Sequence, residues 1–333
     1  MNHSQSQTLL SVNGLQVRFA TREGVVAPVR DLSLAVDRHE TLGVIGESGC
    51  GKSVTAQALM GLLPARSSRV AGEMIFDGER LDDLSPAALQ RWRGSRMAMI
   101  FQDPLSSLNP VFTVGCQIEE SLILHRALTR RQRRAEVISL LHQVGIDDAP
   151  RCAAAYPHEI SGGMRQRVMI AMAIASRPAL LIADEPTTAL DVTIQAQILA
   201  LLEKVKADSG MGIILITHDL SVVAQLCQRV LVMYLGEVVE EADVVSLFDN
   251  PLHPYTRALL QAVPRLDGER KVDLPEILGT VPALSVAIPG CGFADRCPYA
   301  QARCREQHPA LRALSDKTHR VRCWRAEEIG GLV

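Results

Sequence analysis

Long apolar runs, surplus charge of either sign and aromatic side chains are all scarce in this sequence. No stretch reaches the roughly 18 uninterrupted apolar residues that a bilayer crossing needs. The most apolar segments, Val168 to Ala175 and Leu180 to Ala183, are bounded by Arg and Asp, so the chain is not expected to span a membrane. The opening Met-Asn-His-Ser-Gln-Ser-Gln has no basic stretch ahead of an apolar core. It offers no secretory signal, and the cytosol is the expected compartment. The 35 Lys+Arg nearly cancel the 37 Asp+Glu, leaving a net charge of −2. Such a balance has no field for gathering a phosphodiester backbone, so nucleic acid is not expected as a partner. The basic run Arg130-Arg131-Gln132-Arg133-Arg134 reads as the solvated face of a charged helix. Aromatics make up 4% of the residues, yet 47% are hydrophobic. That composition excludes disorder and collagen and leaves ample material for a core, and there are no internal repeats. At 333 residues, one large domain with a smaller one appended is expected.

Short alternating apolar runs between Leu9 and Leu42, broken by the turn-prone Asn13-Gly14 and Arg22-Glu23-Gly24, predict antiparallel strands. Leu42 to Ile45 reads as a short buried strand and Gly46 to Gly51 as a glycine-rich loop. Lys52 to Leu63 reads as an apolar helix stopped by Pro64. From Thr113 to Pro150 the apolar residues recur at helical spacing, which predicts a helical insert. Strand character returns at Ala179 to Ala183, Ile213 to Ile216 and Val230 to Met233, with helices between. Strands alternating with helices predict an α/β fold with a parallel core sheet. After Asn250, prolines break up everything beyond one helix near Tyr255 to Ala262. The expected division is a domain over 1–250, with a helical subdomain at about 103–178, and an irregular extension over 251–333.

Gly46-Glu47-Ser48-Gly49-Cys50-Gly51-Lys52-Ser53 fits G-x-x-x-x-G-K-[ST] between a strand and a helix. Glycines let backbone N–H groups turn inward around phosphate oxygens, and the helix N-terminus adds its positive dipole end. Lys52 is expected on the β- and γ-phosphates and the Ser53 hydroxyl on Mg²⁺. Downstream, the apolar run from Leu180 delivers Asp184 and Glu185 at a strand's C-terminal end, where ligands of open α/β sheets sit. Asp184 suits Mg²⁺ and Glu185 suits the polarisation of an attacking water.

Ser161-Gly162-Gly163-Met164-Arg165-Gln166-Arg167, about 20 residues ahead of Asp184, completes a pattern. From Leu9 to Val245 the chain resembles the ATP-binding-cassette (ABC) ATPases. The resemblance implies that Ser161, Gly162 and Gly163 cap the nucleotide held by the phosphate loop of a second subunit. It implies that Gln102 senses Mg²⁺ and the attacking water, and that Ala189-Leu190-Asp191 communicates across the dimer. It places His218 against the γ-phosphate and Phe19 on the adenine. Ile160 and Met164 depart from the commoner Leu and Gln of the family pattern. Cys50 stands where serine is usual, and a thiol beside Lys52 could react with alkylating reagents.

His253-Pro-Tyr-Thr256 and Phe101-Gln-Asp-Pro-Leu-Ser-Ser-Leu-Asn-Pro110 narrow the likeness to the ATPase subunits of bacterial oligopeptide and dipeptide permeases. Cys291, Cys297, Cys304 and Cys323 crowd into the same tail, with Arg296, Arg303, Arg305 and Arg322 nearby. A tail with little core invites a metal to hold it together. Structural zinc sites use tight C-x₂₋₄-C pairs, which are missing here. A [4Fe–4S] cluster takes four Cys ligands, is what the resemblance implies, and would have its charge offset by the arginines. Zinc and plain reduced cysteines are the other readings.

The resemblance implies an ATPase that consumes ATP with Mg²⁺ at the cytoplasmic face of the cell membrane and powers peptide uptake. Its implied partners are two transmembrane permease subunits, a second ATPase that is related but different, and an extracytoplasmic peptide-binding protein. The same importer plan carrying nickel or another small solute, and a soluble ABC ATPase, are the alternatives. The segment Pro104 to Phe112 is expected to pass motion to the permease.

Overall fold

The computed structural model describes residues 8–22, 24–103, 107–188, 190–262, 277–284, 288–314 and 318–330. In chain order come β1 (Thr8–Thr21), β2 (Gly24–Asp37), β3 (Thr41–Ile45), α1 (Lys52–Leu59), β4 (Ser68–Phe76), β5 (Glu79–Arg80), α2 (Pro86–Trp92) and β6 (Met97–Ile100). Next are α3 (Val114–His125), α4 (Arg130–Gln143), α5 (Ala149–Ala154), α6 (Gly162–Ile174), β7 (Leu180–Asp184), α7 (Val192–Ser209) and β8 (Gly212–Ile216). Then follow α8 (Leu220–Leu226), β9 (Arg229–Tyr234), β10 (Glu237–Asp243), α9 (Val244–Asp249) and α10 (Pro254–Gln261). The tail adds α11 (Ala302–Glu306), β11 (Arg312–Ala313), β12 (Arg320–Val321) and α12 (Ala326–Gly330). The chain divides into two compact units. The first comprises Val36–Glu40 and Asp77–Ile216 with the start of β1; the second comprises Leu10–Ala35, Thr41–Phe76 and the chain from Thr217 onward.

In the first unit, β6, β7 and β8 run parallel, with Ile100 opposite Ala183 and Asp184 opposite Ile216. Leu180 to Ala183 have no exposed surface, as expected of a strand covered on both faces. Each fully buried Leu or Ile contributes about 1.5–3 kcal/mol of apolar burial. Helices α3 to α6 pack on one another. Their starts are capped by side chains: Thr113, Thr129, Asp148 and Ser161 each accept a backbone N–H of the first turn.

In the second unit the strands lie in the order β4-β1-β2-β10-β9-β3. β1 and β4 are antiparallel and β3 and β9 parallel. Asn13-Gly14, expected to be a turn, instead lies inside β1 as a bulge. The β4 register slips between Asn13 and Gln16 there, and Gly14 takes φ 61°. Helix α1 ends at Leu59, not at Leu63, because Gly61 adopts the left-handed conformation (φ 60°) and Leu62 N–H turns back to Gln57.

β10 carries the anchor of the chain's last third. Glu240 is fully buried, and its carboxylate accepts the N–H groups of Leu252 (2.6 Å) and His253 (2.9 Å) while meeting His319 Nε2 at 2.7 Å. His253 Nδ1 in turn accepts the Tyr255 N–H at the start of α10 (3.1 Å). The extension's own apolar cluster is small: Leu252, Val321 and Ala326, with Leu314 and Cys323 against it.

Burial holds the His253 imidazole down at about pH 4, against 6.5 for an exposed histidine. The unfolded chain therefore binds a proton that the folded chain refuses. Stability is complete above pH 6.5 and falls as the pH drops towards 4. The expected loss is about 3 kcal/mol, read by urea unfolding across that range. His253→Asn keeps an acceptor for Tyr255 and is expected to flatten this part of the profile.

Candidate functional site

The second unit supplies the phosphate loop. It leaves the buried strand β3 and closes at Gly51, the N-cap of α1. Gly46 (φ 151°) and Gly51 (φ 105°) leave no space for a Cβ, which would collide with the Met233 carbonyl at Gly46 and with the Pro28 carbonyl at Gly51. Ser48 and Gly49 face solvent, Cys50 is buried and Ser53 is half-buried on the first turn of α1. Lys52 is only 6% exposed. Its Nζ donates to the carbonyls of Gly46 (2.7 Å) and Glu47 (3.1 Å) and lies 3.7 Å from Cys50 Sγ. Glu47 donates its N–H to the Tyr255 hydroxyl (2.7 Å), and Arg296 grips its carboxylate at both oxygens (2.7 and 3.0 Å).

His218, in the same unit, is exposed one residue beyond Thr217, whose N–H donates to Val44 of β3. Phe19 is half-buried, on the face of β1 that buries Leu15 and Val17 and opposite Ser68 of β4.

The first unit supplies the acids. Asp184, the last residue of β7, is 3% exposed. Glu185 follows in the left-handed region (φ 48°), its N–H donating to Ile216. Such strain in a residue other than glycine persists where surrounding bonds over-determine it. Because Ile100 lies opposite Ala183, the residues two places further on come level. Gln102 Nε2 accordingly donates to Glu185 Oε2 (3.0 Å), and the Thr188 hydroxyl donates to the same oxygen (2.8 Å). Thr188 is a partner that the sequence reading missed. Its short spacing from Glu185 was visible, its orientation was not.

Ser161 is exposed and caps α6, accepting the Met164 N–H (3.3 Å); Gly162 beside it is also exposed. Gly163 faces Ile194 so closely that an added Cβ would stand 3.2 Å away. Gln166, in the next turn, donates to the carbonyl of Pro186 and so ties this helix to the acidic strand end. Asp191 caps α7 through the Ile194 N–H (2.9 Å), and Val192 beside it is 84% exposed. Ala189 lies outside the described residues, as do Pro104 to Ser106 of the segment expected to meet the permease. The rest of that segment includes exposed Val111 and Phe112.

Comparison with known proteins places this arrangement. A family model described as ABC transporter matches residues 29–188, and one described as the C-terminal region of oligopeptide/dipeptide transporters matches residues 239–304. A probable peptide ABC transporter ATP-binding protein of Sinorhizobium fredii is 49% identical over 332 residues, 99% of each chain. The chain belongs to the ATP-binding proteins of ABC transporters. The dipeptide transport ATP-binding protein of Bacillus subtilis is 48% identical over 96% of this chain and 95% of its own. Among solved structures, a dimeric post-hydrolysis ATP-binding cassette with ADP and phosphate aligns with TM-score 0.64 at 27% identity. It covers 71% of this chain and 98% of that one. The α/β cassette fold read from the sequence is thus the fold of this ABC ATPase.

The cysteine tail of this chain departs from expectation. Cys291, Cys297, Cys304 and Cys323 do line one cavity, together with His253, Phe293 and Trp324. That cavity measures about 20 Å³, room for roughly one water. Among the described residues no group of three or more His, Cys, Asp or Glu is set to hold a metal ion. The donor type suits a [4Fe–4S] cluster, but with no such group among the described residues the structure does not support the cluster. The arginines expected to offset its charge are also engaged elsewhere. Arg296 holds Glu47, Arg305 pairs with Asp295, Arg303 stacks on Trp324, and Arg322 donates to Val238 and Pro309 carbonyls.

Cys50 departs as well. It is 1% exposed, and burial pushes its thiol above the usual cysteine range despite the nearby Lys52. The expected alkylation target is therefore exposed Cys116. Brief iodoacetamide treatment of native ATPase, followed by peptide mass spectrometry, is expected to label Cys116 first and to reach Cys50 only in denaturant.

Proposed function

We propose that this ABC ATPase powers peptide uptake, hydrolysing ATP at the cytoplasmic face of a membrane importer in which it is a peripheral subunit. Among the described residues no helix is long and apolar enough to cross a membrane, which fits a subunit docked on others. Two transmembrane permease subunits, a second and related ATPase, and an extracytoplasmic peptide-binding protein are its partners in this reading. The peptide cargo rests on the named activities of the relatives and on the match of the tail. A nickel or other small-solute cargo, or a soluble ATPase, has no such support.

The observation that carries the chemistry is the bond from Gln102 to Glu185. A carboxylate held by Gln102 and Thr188, at the end of a parallel strand, is positioned as a base for the water that attacks the γ-phosphorus. Lys52 is assigned to the β- and γ-phosphates, exchanging the carbonyls of Gly46 and Glu47 for stronger, charged acceptors. Ser53, Gln102 and Asp184 offer only oxygen ligands, the set Mg²⁺ takes, and Mg²⁺ would neutralise charge developing on the phosphates. His218 is assigned to the γ-phosphate and Phe19 to the adenine.

In a dimer, exposed Ser161 and Gly162, with half-buried Gly163, would present a helix N-terminus to the nucleotide of the other ATPase, with Asp191 at the shared surface. Closure then depends on the γ-phosphate that both sides hold, and hydrolysis releases it. No step passes through the four cysteines of the tail.

Glu185→Gln keeps the hydrogen bonds and removes the base. Turnover is expected to fall about 10²–10⁴-fold with ATP binding retained, measured by phosphate release and equilibrium binding. Turnover like that of the native enzyme would remove Glu185 from the role. Affinity purification in mild detergent is expected to bring down two multispanning proteins and a second phosphate-loop ATPase. Recovery of a soluble assembly instead would overturn the importer.

A further inference from the structure

Glu47 is the first variable residue of the phosphate loop, yet it is held from the far end of the chain. Arg296 lies 249 residues away in sequence, and its side chain is only 5% exposed. It closes a two-pronged ion pair on both Glu47 oxygens. Its remaining donors reach the carbonyls of Leu278 (3.0 Å) and Ile277 (3.2 Å). The guanidinium also stands 5.8 Å from the Phe293 ring and 5.9 Å from the Tyr234 ring. The guanidinium is thus held by two carboxylate oxygens and two backbone carbonyls, a planar grip that suits the forked geometry of arginine.

The backbone of Glu47 is held independently. Its N–H donates to the Tyr255 hydroxyl, and Tyr255 is fully buried against Tyr234 and Phe293. Tyr255 is placed by α10, whose start is tied to the buried Glu240. The Glu47 carbonyl, next along the chain, accepts from Lys52 Nζ. A continuous set of bonds therefore runs from Arg296 and Tyr255 through Glu47 to the lysine assigned to the phosphates.

A loop containing Gly46, Gly49 and Gly51 loses more conformational freedom on ordering than other sequences. Ordering it before ligand arrives spares that cost at the moment of binding. We propose that Arg296 is a positioning residue of the ATPase: by fixing Glu47 it presets the phosphate loop and Lys52 for ATP. The C-terminal extension is then part of the nucleotide site's support, beyond any role it has in assembly.

The test compares Arg296→Met, Arg296→Lys, Glu47→Gln, Tyr255→Phe and the double variant Arg296→Met with Glu47→Gln in the full-length chain. ATP affinity is read by equilibrium titration, turnover at saturating ATP by phosphate release, and integrity by thermal melting. Arg296→Met is expected to weaken ATP binding about 10–100-fold, the range for losing a charge-assisted pair. Saturated turnover is expected to change by less than about threefold, since Glu185 is untouched. Arg296→Lys restores the charge without the fork and is expected to recover part of the affinity. The double variant is expected to bind no worse than the poorer single variant, because both remove one interaction. If Arg296→Met does not fold, Glu47→Gln and Tyr255→Phe carry the test, each weakening ATP binding while melting normally. Unchanged ATP affinity with a lowered melting temperature would make the contact a structural staple and overturn the proposal. Additive losses in the double variant would overturn it as well.

Discussion

At Gly46 and Gly51 the backbone of the phosphate loop runs so close to the carbonyls of Met233 and Pro28 that one methyl group has no room. These two approaches decide much else in the second unit. Pro28 lies in β2 and Met233 in β9, two strands of one sheet. The loop is thereby shaped from outside itself. Its own residues could not do so, since glycines carry no side chains to pack and prefer no single conformation. Buried Lys52 completes the arrangement by folding onto the carbonyls of Gly46 and Glu47. Those carbonyls satisfy a cation that burial would otherwise penalise.

The acidic half of the chemistry obeys a different constraint, that of parallel register. Pairing Ile100 with Ala183 and Asp184 with Ile216 brings the ends of three strands level. The chain must then turn sharply at Glu185, and its positive φ records the cost. The bonds that Glu185 accepts from Gln102 and Thr188, and the one its N–H donates to the Ile216 carbonyl, compensate. Strain and function coincide here because a carboxylate at a sharp turn cannot follow its strand into the core. It is left half-buried at the end of its strand, where water can reach it.

Much of the fold and most of the candidate site were legible in the sequence, for one physical reason. The phosphate loop, the Asp184-Glu185 pair and the Ser161 cap are short-range patterns, each set by the residue types within a few positions. Patterns that depend on distant partners were not legible. β10 was missed because Glu240 and Glu241 break its apolar run, and only the structure shows both buried against His319 and Arg229. Asn13-Gly14 reads as a hairpin turn, but the pairing of β1 with β4 on both sides of it absorbs it as a bulge. The cysteine tail was read for its ligand type. How those side chains are set relative to one another is a tertiary quantity, and among the described residues no group is set to hold a metal.

The His253-Pro-Tyr-Thr256 segment now has a physical meaning apart from its use as a marker. His253 ends the loop that Glu240 holds, and its Nδ1 accepts the N–H of Tyr255. Pro254 sits at the first helical position, where a missing N–H costs nothing. Tyr255 is turned inward and spends its hydroxyl on the phosphate loop. An imidazole serves as acceptor only while neutral, and burial keeps His253 neutral throughout the physiological range. Three consecutive residues, His253 to Tyr255, therefore convert a buried carboxylate in β10 into a fixed support for Glu47. The extension accordingly has a reason to accompany this cassette even though its own apolar cluster is small: its anchoring bonds are made to the strand and the loop of the nucleotide-binding machinery.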